Sequence, residues 1–412
     1  MKRLDMIKKF LVLAIAVVAF GVPANNRLWE RINAINASKN QQTLQPTIDP
    51  ALLDLAKRYE AWVHRAMAAE KVPGAAIAII KDSTIVLLKG FGVKKTGTTD
   101  SVGLHTVFRL ASLSKGFAPV LAAQFVEDGC LHWDDKIAGY IPYLSLRNKQ
   151  HTENISLRHV LSHTTGLPRH TFSNLLNSGQ FYEEIFPRLK EVKITHPLGV
   201  YYAYQNVTYS FVGDVVHTAT GKSYARLLGE RIFTPAGMDD ASATYDGILS
   251  SPDVAQPHNI LRDGSHQPIE ISPNYYEVIP AAGVNASISD MVCWMQVLMG
   301  NRPDIISQQR LQEIFTPQVE VNLKEMRKWP GLQRAWYALG WRILDFEDKM
   351  LVYHGGFVNG YRTEIAFDPR DKIGIVVLSN GISHFIGNSV MQFFAMYNKT
   401  EDQLQDMEAW TD

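Results

Sequence analysis

The sequence predicts an α/β (α+β) protein whose antiparallel sheet, flanked by helices, draws strands from both chain ends, with an inserted, mainly helical subdomain. Three observations lead there. Near the N-terminus, "AAIAIIKDSTIVLLKGFGV" reads as two strands joined around Asp82-Ser83. Strand patterns return only late, as "WYALGWRI", "MLVYHGG", "RTEIAFDP" and "KIGIVVLSN", with Asp368-Pro369-Arg370-Asp371 as one turn. Between them, from about Leu110 to Asp290, helical spacing and long loops dominate. Strands this far apart in sequence imply one shared sheet, and a cleft is expected at its seam with the helical insert.

In chain order, "MKRLDMIKKFLVLAIAVVAFGVPANN" reads as an export signal. Lys2, Arg3, Lys8 and Lys9 precede an apolar run from Phe10 that ends at Val22-Pro23-Ala24. A signal peptide over 1–24 is therefore expected, and a periplasmic or secreted location. Retention of the signal would leave a membrane anchor, although the run is short for a span. Residues 25–50, polar and rich in Asn and Gln, read as a linker. Leu52, Leu55, Tyr59, Trp62 and Val63 recur at helical spacing until Val72-Pro73-Gly74 stops the helix. One domain is expected over 51–400, its sheet part about 51–109 and 291–400 and its helical part about 110–290. A last helix spans about Phe385 to Tyr397, and 401–412 form a polar tail.

The 412 residues are 46% hydrophobic, enough to bury a large core. Lys+Arg and Asp+Glu both number 41. That balance excludes the electrostatic footprint of a nucleic-acid binder and offers no membrane attraction beyond the export signal. Small molecules or peptides remain as partners, while oligomeric state leaves no trace in the sequence. Cys130 and Cys293 sit in apolar contexts and read as buried free thiols, a disulfide being the alternative. Two cysteines cannot build a structural zinc site.

The stretch "FRLASLSKGFAPVLAAQF", Phe108 to Phe125, sets two serines and a lysine at the head of an apolar segment. In a helix starting near Ala111, Ser112 and Lys115 lie three apart on one face. Ser114 directly precedes the lysine and points about 100° away from it. A serine hydroxyl attacks only when a base takes its proton, and a lysine assists if burial or nearby positive charge lowers its pKa. The positive helix end would also favour an oxyanion near Ser112. The plain alternative is a capping serine beside an exposed lysine. Pro119 removes the N–H that would bond the Lys115 carbonyl.

Two further elements follow in order. "YYAYQNVTYSFVG" holds Tyr204-Gln205-Asn206, and "VYHGGFVNGYRTEI" holds His354-Gly355-Gly356 at a strand end. With Phe108, "LRHVLSHTTGLP" and "HPLGVYYAYQN", these resemble the serine β-lactamase and penicillin-binding protein superfamily, whose signature includes S-x-x-K. The resemblance looks closest to the branch holding class C β-lactamases, D-amino-acid peptidases and β-lactamase-like esterases, and it covers roughly Leu52 to Tyr397. It implies a β-lactamase/transpeptidase-like fold and a serine hydrolase needing no cofactor or metal. Ser112 would form an acyl-enzyme, with Lys115 and Tyr204 sharing the proton traffic. Asn206 would bind substrate and help fix Lys115, and the backbone N–H groups of Ser112 and Phe357 would form the oxyanion hole. Gly355 and Gly356 would let the strand approach the substrate closely. His354 stands where many relatives carry a lysine; it would bind substrate without that permanent cation, which points away from an efficient β-lactamase and toward D-aminopeptidase-like or esterase-like relatives.

Implied substrates are a β-lactam, a D-amino-acid amide or peptide, or an ester. A penicillin-binding sensor with little or no turnover, or a scaffold, are the alternatives. Tyr201, Tyr202 and Tyr209 read as a core edge, and His354 could equally be a strand-end histidine bonded to the backbone. His159 and His163, four apart, favour a structural role over a zinc pair, since no H-E-x-x-H pattern or third ligand accompanies them. Arg362 is either a partner for a substrate carboxylate or a solvated strand residue. Loops at about Thr171–Val192 and Gly247–Pro280 would set selectivity.

Overall fold

Strand β1 (Gly74–Lys81) is apolar at nearly every position, and alternation explains why. Ala75, Ile77 and Ile79 enter one core, whereas Ala76, Ala78 and Ile80 enter another on the opposite face. A strand covered on both sides needs no polar face, so its run is continuous. The computed structural model describes residues 48–326 and 329–398. The expected signal peptide, residues 25–47 of the expected linker and the tail 401–412 lie outside the described residues.

Helix α1 (Pro50–Ala69) carries the expected apolar spacing and buries Leu55, Tyr59, Val63 and Met67. It packs with α6 (His384–Asn398) on one face of the sheet. The Tyr59 hydroxyl donates to the Ser389 carbonyl at 3.0 Å, and its ring meets Phe393 edge-on at 5.6 Å. The opposite face takes α2 (Phe117–Glu127) and α4 (Ile288–Leu298), with α3 (Phe211–Thr220) beneath α2 and α5 (Gln308–Phe315) beside it.

The remaining strands are β2 (Thr84–Gly92), β3 (Phe108–Arg109), β4 (His258–Ile260), β5 (His266–Pro268), β6 (Asn285–Ala286) and β7 (Val319–Glu320). Then come β8 (Leu332–Tyr337), β9 (Arg342–Phe346), β10 (Lys349–Val358), β11 (Tyr361–Asp368) and β12 (Ile373–Ser379). Eight of them form one antiparallel sheet in the order β2-β1-β12-β11-β10-β9-β8-β7. The pair β1–β12 joins strands about 300 residues apart in sequence, Ala75 lying opposite Ser379. The sheet is thus built from both chain ends with helices on both faces, as the strand pattern predicted.

One element differs from expectation. "WYALGWRI" is not a single strand: Tyr337 ends β8, Ala338–Trp341 make the turn, and Arg342 begins β9. The turn closes with the Ala338 N–H on the Trp341 carbonyl at 2.8 Å. Gly340 has φ +76° there, and a Cβ on it would meet the Lys115 carbonyl oxygen and the Tyr209 hydroxyl, each at 2.7 Å. Local apolar character hid a turn dictated by packing against a distant segment. The second difference is Cys130, which is exposed; it and the half-buried Cys293 are both free thiols.

Gly340→Ala should lower stability by about 1–3 kcal/mol, since it combines an unfavourable φ with overpacking. A thermal midpoint equal to that of the parent protein would contradict this packing.

Candidate active site

Ser112 sits on a six-residue 3₁₀ turn, Ala111–Gly116, rather than on the expected α-helix, and the turn runs directly into α2. With three residues per turn, positions three apart eclipse each other, so Ser112 and Lys115 share a face still more directly. Ser114 is occupied otherwise: its Oγ accepts the Val284 N–H at 3.0 Å. The segment is held from two sides. β3 pairs with β6, the Leu110 N–H bonds the Val284 carbonyl at 2.9 Å, and the Thr363 hydroxyl of β11 donates to the Leu110 carbonyl at 2.8 Å. Ala111, at φ +50°, is held in the left-handed region immediately before Ser112.

The Tyr204 hydroxyl lies 2.9 Å from Ser112 Oγ, donating to it. The side chain of Lys115 is fully buried. Its Nζ bonds Asn206 Oδ1 at 2.8 Å and the Ala281 carbonyl at 2.9 Å, and lies 4.6 Å from the centre of the Tyr204 ring. Burial first, then the charge of Arg342, hold the Lys115 pKa well below its ordinary value. Burial pushes the Tyr204 phenol up, which Arg342 and the Ser112 hydrogen bond partly oppose. Asn206 has its Nδ2 3.5 Å from Ser173 Oγ, so the same amide faces both the lysine and the cavity.

The carbonyl of Lys115, deprived of a helical donor by Pro119, accepts the Tyr209 hydroxyl at 2.7 Å. Tyr209 is therefore more than a core edge. Tyr202 likewise reaches the site, its hydroxyl lying 3.4 Å from an Arg342 Nη.

Strand β10 supplies the facing wall. Its pairing with β9 stops at Tyr353 opposite Arg342, while β10 continues to Val358. Gly355, Gly356 and Phe357 therefore line a cavity of ~780 Å³ together with Ser112, Tyr204 and Asn206. A Cβ on Gly356 would meet Thr363 Oγ1 at 2.3 Å and the Leu110 carbonyl at 2.6 Å, so glycine is what lets the strand lie against the Ser112 segment. Ser112 is also the second residue of its turn, where helical N–H groups lack intrahelical acceptors. Its N–H and that of Phe357 both belong to residues on the cavity wall.

His354 is placed differently from the expectation that it meets substrate. It is fully buried and absent from the cavity wall. Its Nδ1 donates to the Gly355 carbonyl at 2.9 Å, and its Nε2 accepts from the Tyr337 hydroxyl at 3.3 Å. Burial, then Arg342 and Lys115, push its pKa well below the ordinary value, so it is a neutral imidazole. The physical reason is alternation: with Gly355 and Phe357 on the wall, its side chain turns inward to Tyr337 and Trp341.

One cation that does face the cavity is Arg342, which no motif signals. Strand register puts it opposite Tyr337 on one side and Tyr353 on the other. Arg362 also lines the cavity but is paired to Glu364 at 2.9 Å, and Glu364 accepts the Tyr353 hydroxyl as well. His159 and His163 do not converge. The first closes a capping box with Ser156, and the Nδ1 of the second accepts the Gln205 N–H at 3.2 Å. Among the described residues no group of three His, Cys, Asp or Glu is placed to hold a metal.

Tyr209→Phe should cost about 1–3 kcal/mol, because it leaves the buried Lys115 carbonyl without a donor. Adding Pro119→Ala supplies the missing backbone N–H, so the double variant should recover part of that loss in thermal unfolding. Strictly additive losses would show that the two residues do not share that carbonyl.

Comparison with known proteins identifies the family. Residues 59–383 match the Beta-lactamase family. Protein flp of Staphylococcus aureus (strain MRSA252) is 24% identical over 319 residues, covering 76% of this chain and 61% of that protein. Unguisins hydrolase ungD' of Aspergillus campestris is 25% identical over 324 residues, covering 75% and 58%. This chain thus spans about three-fifths of the length of these relatives. Among solved structures, the octameric penicillin-binding protein homologue from Pyrococcus abyssi superposes with a TM-score of 0.75 at 24% identity, covering 83% of this chain and 77% of that one. The solved structure shares the fold, and the family match over most of the chain leads to one conclusion: this protein belongs to the Beta-lactamase family.

Proposed function

We propose that this protein is an exported serine hydrolase that forms an acyl-enzyme on Ser112 and cleaves amides or esters next to a D-amino acid or β-lactam carbonyl. The observation that carries the reading is the contact of Tyr204 with Ser112 Oγ at 2.9 Å, above a buried lysine that stacks on the same tyrosine ring. A buried amine with a lowered pKa, to which no carboxylate is bonded among the described residues, serves proton transfer better than it serves stability.

In acylation, Ser112 Oγ bonds the carbonyl carbon and its proton passes to the Tyr204–Lys115 pair. The C–N or C–O bond then breaks, and the leaving amine or alcohol takes that proton. The Ser112 and Phe357 N–H groups would receive the oxyanion. In deacylation the same pair takes a proton from water, whose oxygen bonds the acyl carbon, and Ser112 leaves with its hydrogen restored. Asn206 ties Lys115 to the cavity floor, so substrate binding and lysine position are coupled through one amide. Export rests on residues 1–24; among the described residues no helix is long and apolar enough to cross a membrane.

The test is a hydrolysis panel: a chromogenic cephalosporin, a D-Ala-D-Ala peptide, a D-amino-acid anilide and a short-chain ester. Turnover of at least one, lost in Ser112→Ala by more than about 10³-fold, is expected. Retained hydrolysis in Ser112→Ala would refute the mechanism, and a durable penicillin adduct without release would make the protein a sensor.

The pH profile supplies a second expectation. Arg342 lowers the pKa of both Lys115 and Tyr204, so its removal raises both. Whichever of the coupled pair must lose a proton, Arg342→Met should move the acidic limb of kcat/KM to higher pH. A limb that stays in place or moves to lower pH would contradict this electrostatic coupling.

A further inference from the structure

We propose that a strap of hydrogen bonds from Tyr275 and Asn274 to Asn177, anchored by the buried Arg109, limits the length of the acyl group that this hydrolase accepts. The proposal deepens the reading of Ser112 as the nucleophile and rests on it. Asn177 and Tyr275, 98 residues apart in sequence, both line the cavity, and the Tyr275 hydroxyl donates to Asn177 Oδ1 at 2.6 Å. The Asn274 side-chain amide donates to the Asn177 carbonyl at 2.8 Å. The loop after β5 is thereby tied to the helical turn Ser173–Asn177, which joins the two loops expected to set selectivity.

Arg109 fixes the position of the strap. It is fully buried on β3, the strand that leads into the Ser112 turn. One Nη donates to the Ser272 carbonyl at 2.8 Å and the other to the Asn274 carbonyl at 2.7 Å, while the guanidinium carbon lies 4.3 Å from the centre of the Tyr276 ring. Hydrogen bonds from a charged donor are the strong kind, so the nucleophile strand holds this loop firmly. The Tyr276 hydroxyl donates to Asn285 Oδ1 at 2.6 Å, on the β6 residue that pairs with Arg109. Tyr275 sits between these two clamps with φ +74°. A bulky residue keeps that conformation only where its surroundings impose it, and here the clamps on either side do so.

The strap lies where an acyl chain has to run. In the proposed tetrahedral intermediate the oxygen faces the Ser112 and Phe357 N–H groups, and the leaving atom faces Tyr204, through which its proton arrives. The remaining substituent, the acyl chain, is directed along the wall beside Asn206. There Asn206 Nδ2 lies 3.5 Å from Oγ of Ser173, the first residue of the helical turn. Ser173, Asn174 and Asn177 all line the cavity, and their spacing of three and four places them on one face of that turn. This face borders the path of the chain as far as Asn177, where the strap crosses it. A short acyl group ends before the strap. A longer one has to break two hydrogen bonds to pass, and its methylenes offer the freed groups nothing in exchange.

One ratio reads the limit: kcat/KM for p-nitrophenyl butanoate over that for p-nitrophenyl octanoate, which share a leaving group and differ in acyl length. The parent protein should prefer the butanoate by about 10-fold or more, and the ratio should fall at least about fivefold in Tyr275→Phe/Asn274→Ala, which removes both strap bonds. Asn177→Asp keeps both acceptors and should retain the parent ratio. Arg109→Gln should lower the ratio as the strap variant does, because the loop loses its anchor. General destabilisation does not move this number, since the same folded protein acts on both esters. If Arg109→Gln does not fold, the strap variant and Asn177→Asp decide between them. A second measurement, without chemistry, uses Ser112→Ala and calorimetric binding of N-butanoylglycinamide and N-octanoylglycinamide, with and without the strap substitutions. Burial of methylenes would make the octanoyl compound the tighter ligand in an open cavity, and the strapped protein should reverse that order. This readout stands even if neither ester is cleaved, so failure of the hydrolase reading and failure of the length limit are distinguishable. A parent protein that prefers the longer acyl group in either measurement, a ratio unchanged by removing both strap bonds, or a preference lost in Asn177→Asp would overturn the proposal.

Discussion

The structure around the site depends on one costly constraint, the complete burial of the Lys115 amine. A lysine without water must find acceptors, and here they come from the Asn206 amide and the Ala281 carbonyl, with the Tyr204 ring face alongside. With the lysine itself, these groups come from three segments far apart in the chain. Satisfying one side chain therefore gathers the Ser112 turn, the Tyr204–Asn206 stretch and the turn at Ala281. The carbonyl of the same residue extends the second of these as far as Tyr209, and Gly340, on a fourth segment, makes room for that contact.

A lysine held this way suits the proton exchange we propose better than it suits stabilising the fold. Burial and Arg342 favour its neutral form, while burial favours the neutral phenol of Tyr204. In the proposed mechanism the pair passes a proton without either partner being locked as an ion. Arg342 biases both members in the same direction, and burial first, then nearby positive charge, favours the neutral forms of His354 and His163. The site combines permanent cations at the cavity wall, Arg342 among them, with buried neutral bases behind them.

Much of this was legible in the sequence. Period-two patterns at both chain ends revealed the sheet, and the spacing of Ser112 and Lys115 distinguished them from Ser114. What escaped notice depends on pairing between segments. Arg342 has no motif around it; its place follows from the register that sets it between Tyr337 and Tyr353. Pro119 signals that the Lys115 carbonyl needs a donor other than a helical N–H, but nothing local names Tyr209 as that donor. His354 sits in a motif where relatives carry a lysine, yet the alternation of β10 turns its ring inward, and alternation alone does not tell which face meets the cavity.

The proton relay is tested most directly by the rate of Ser112 acylation, followed in stopped flow with the best-hydrolysed substrate, in Lys115→Met, Tyr204→Phe and the double variant. If Lys115 acts through Tyr204, each single variant slows acylation by about 10²- to 10⁴-fold, and the double variant is no slower than the slower single within about threefold. Losses that multiply in the double variant would show two independent paths and contradict a shared relay.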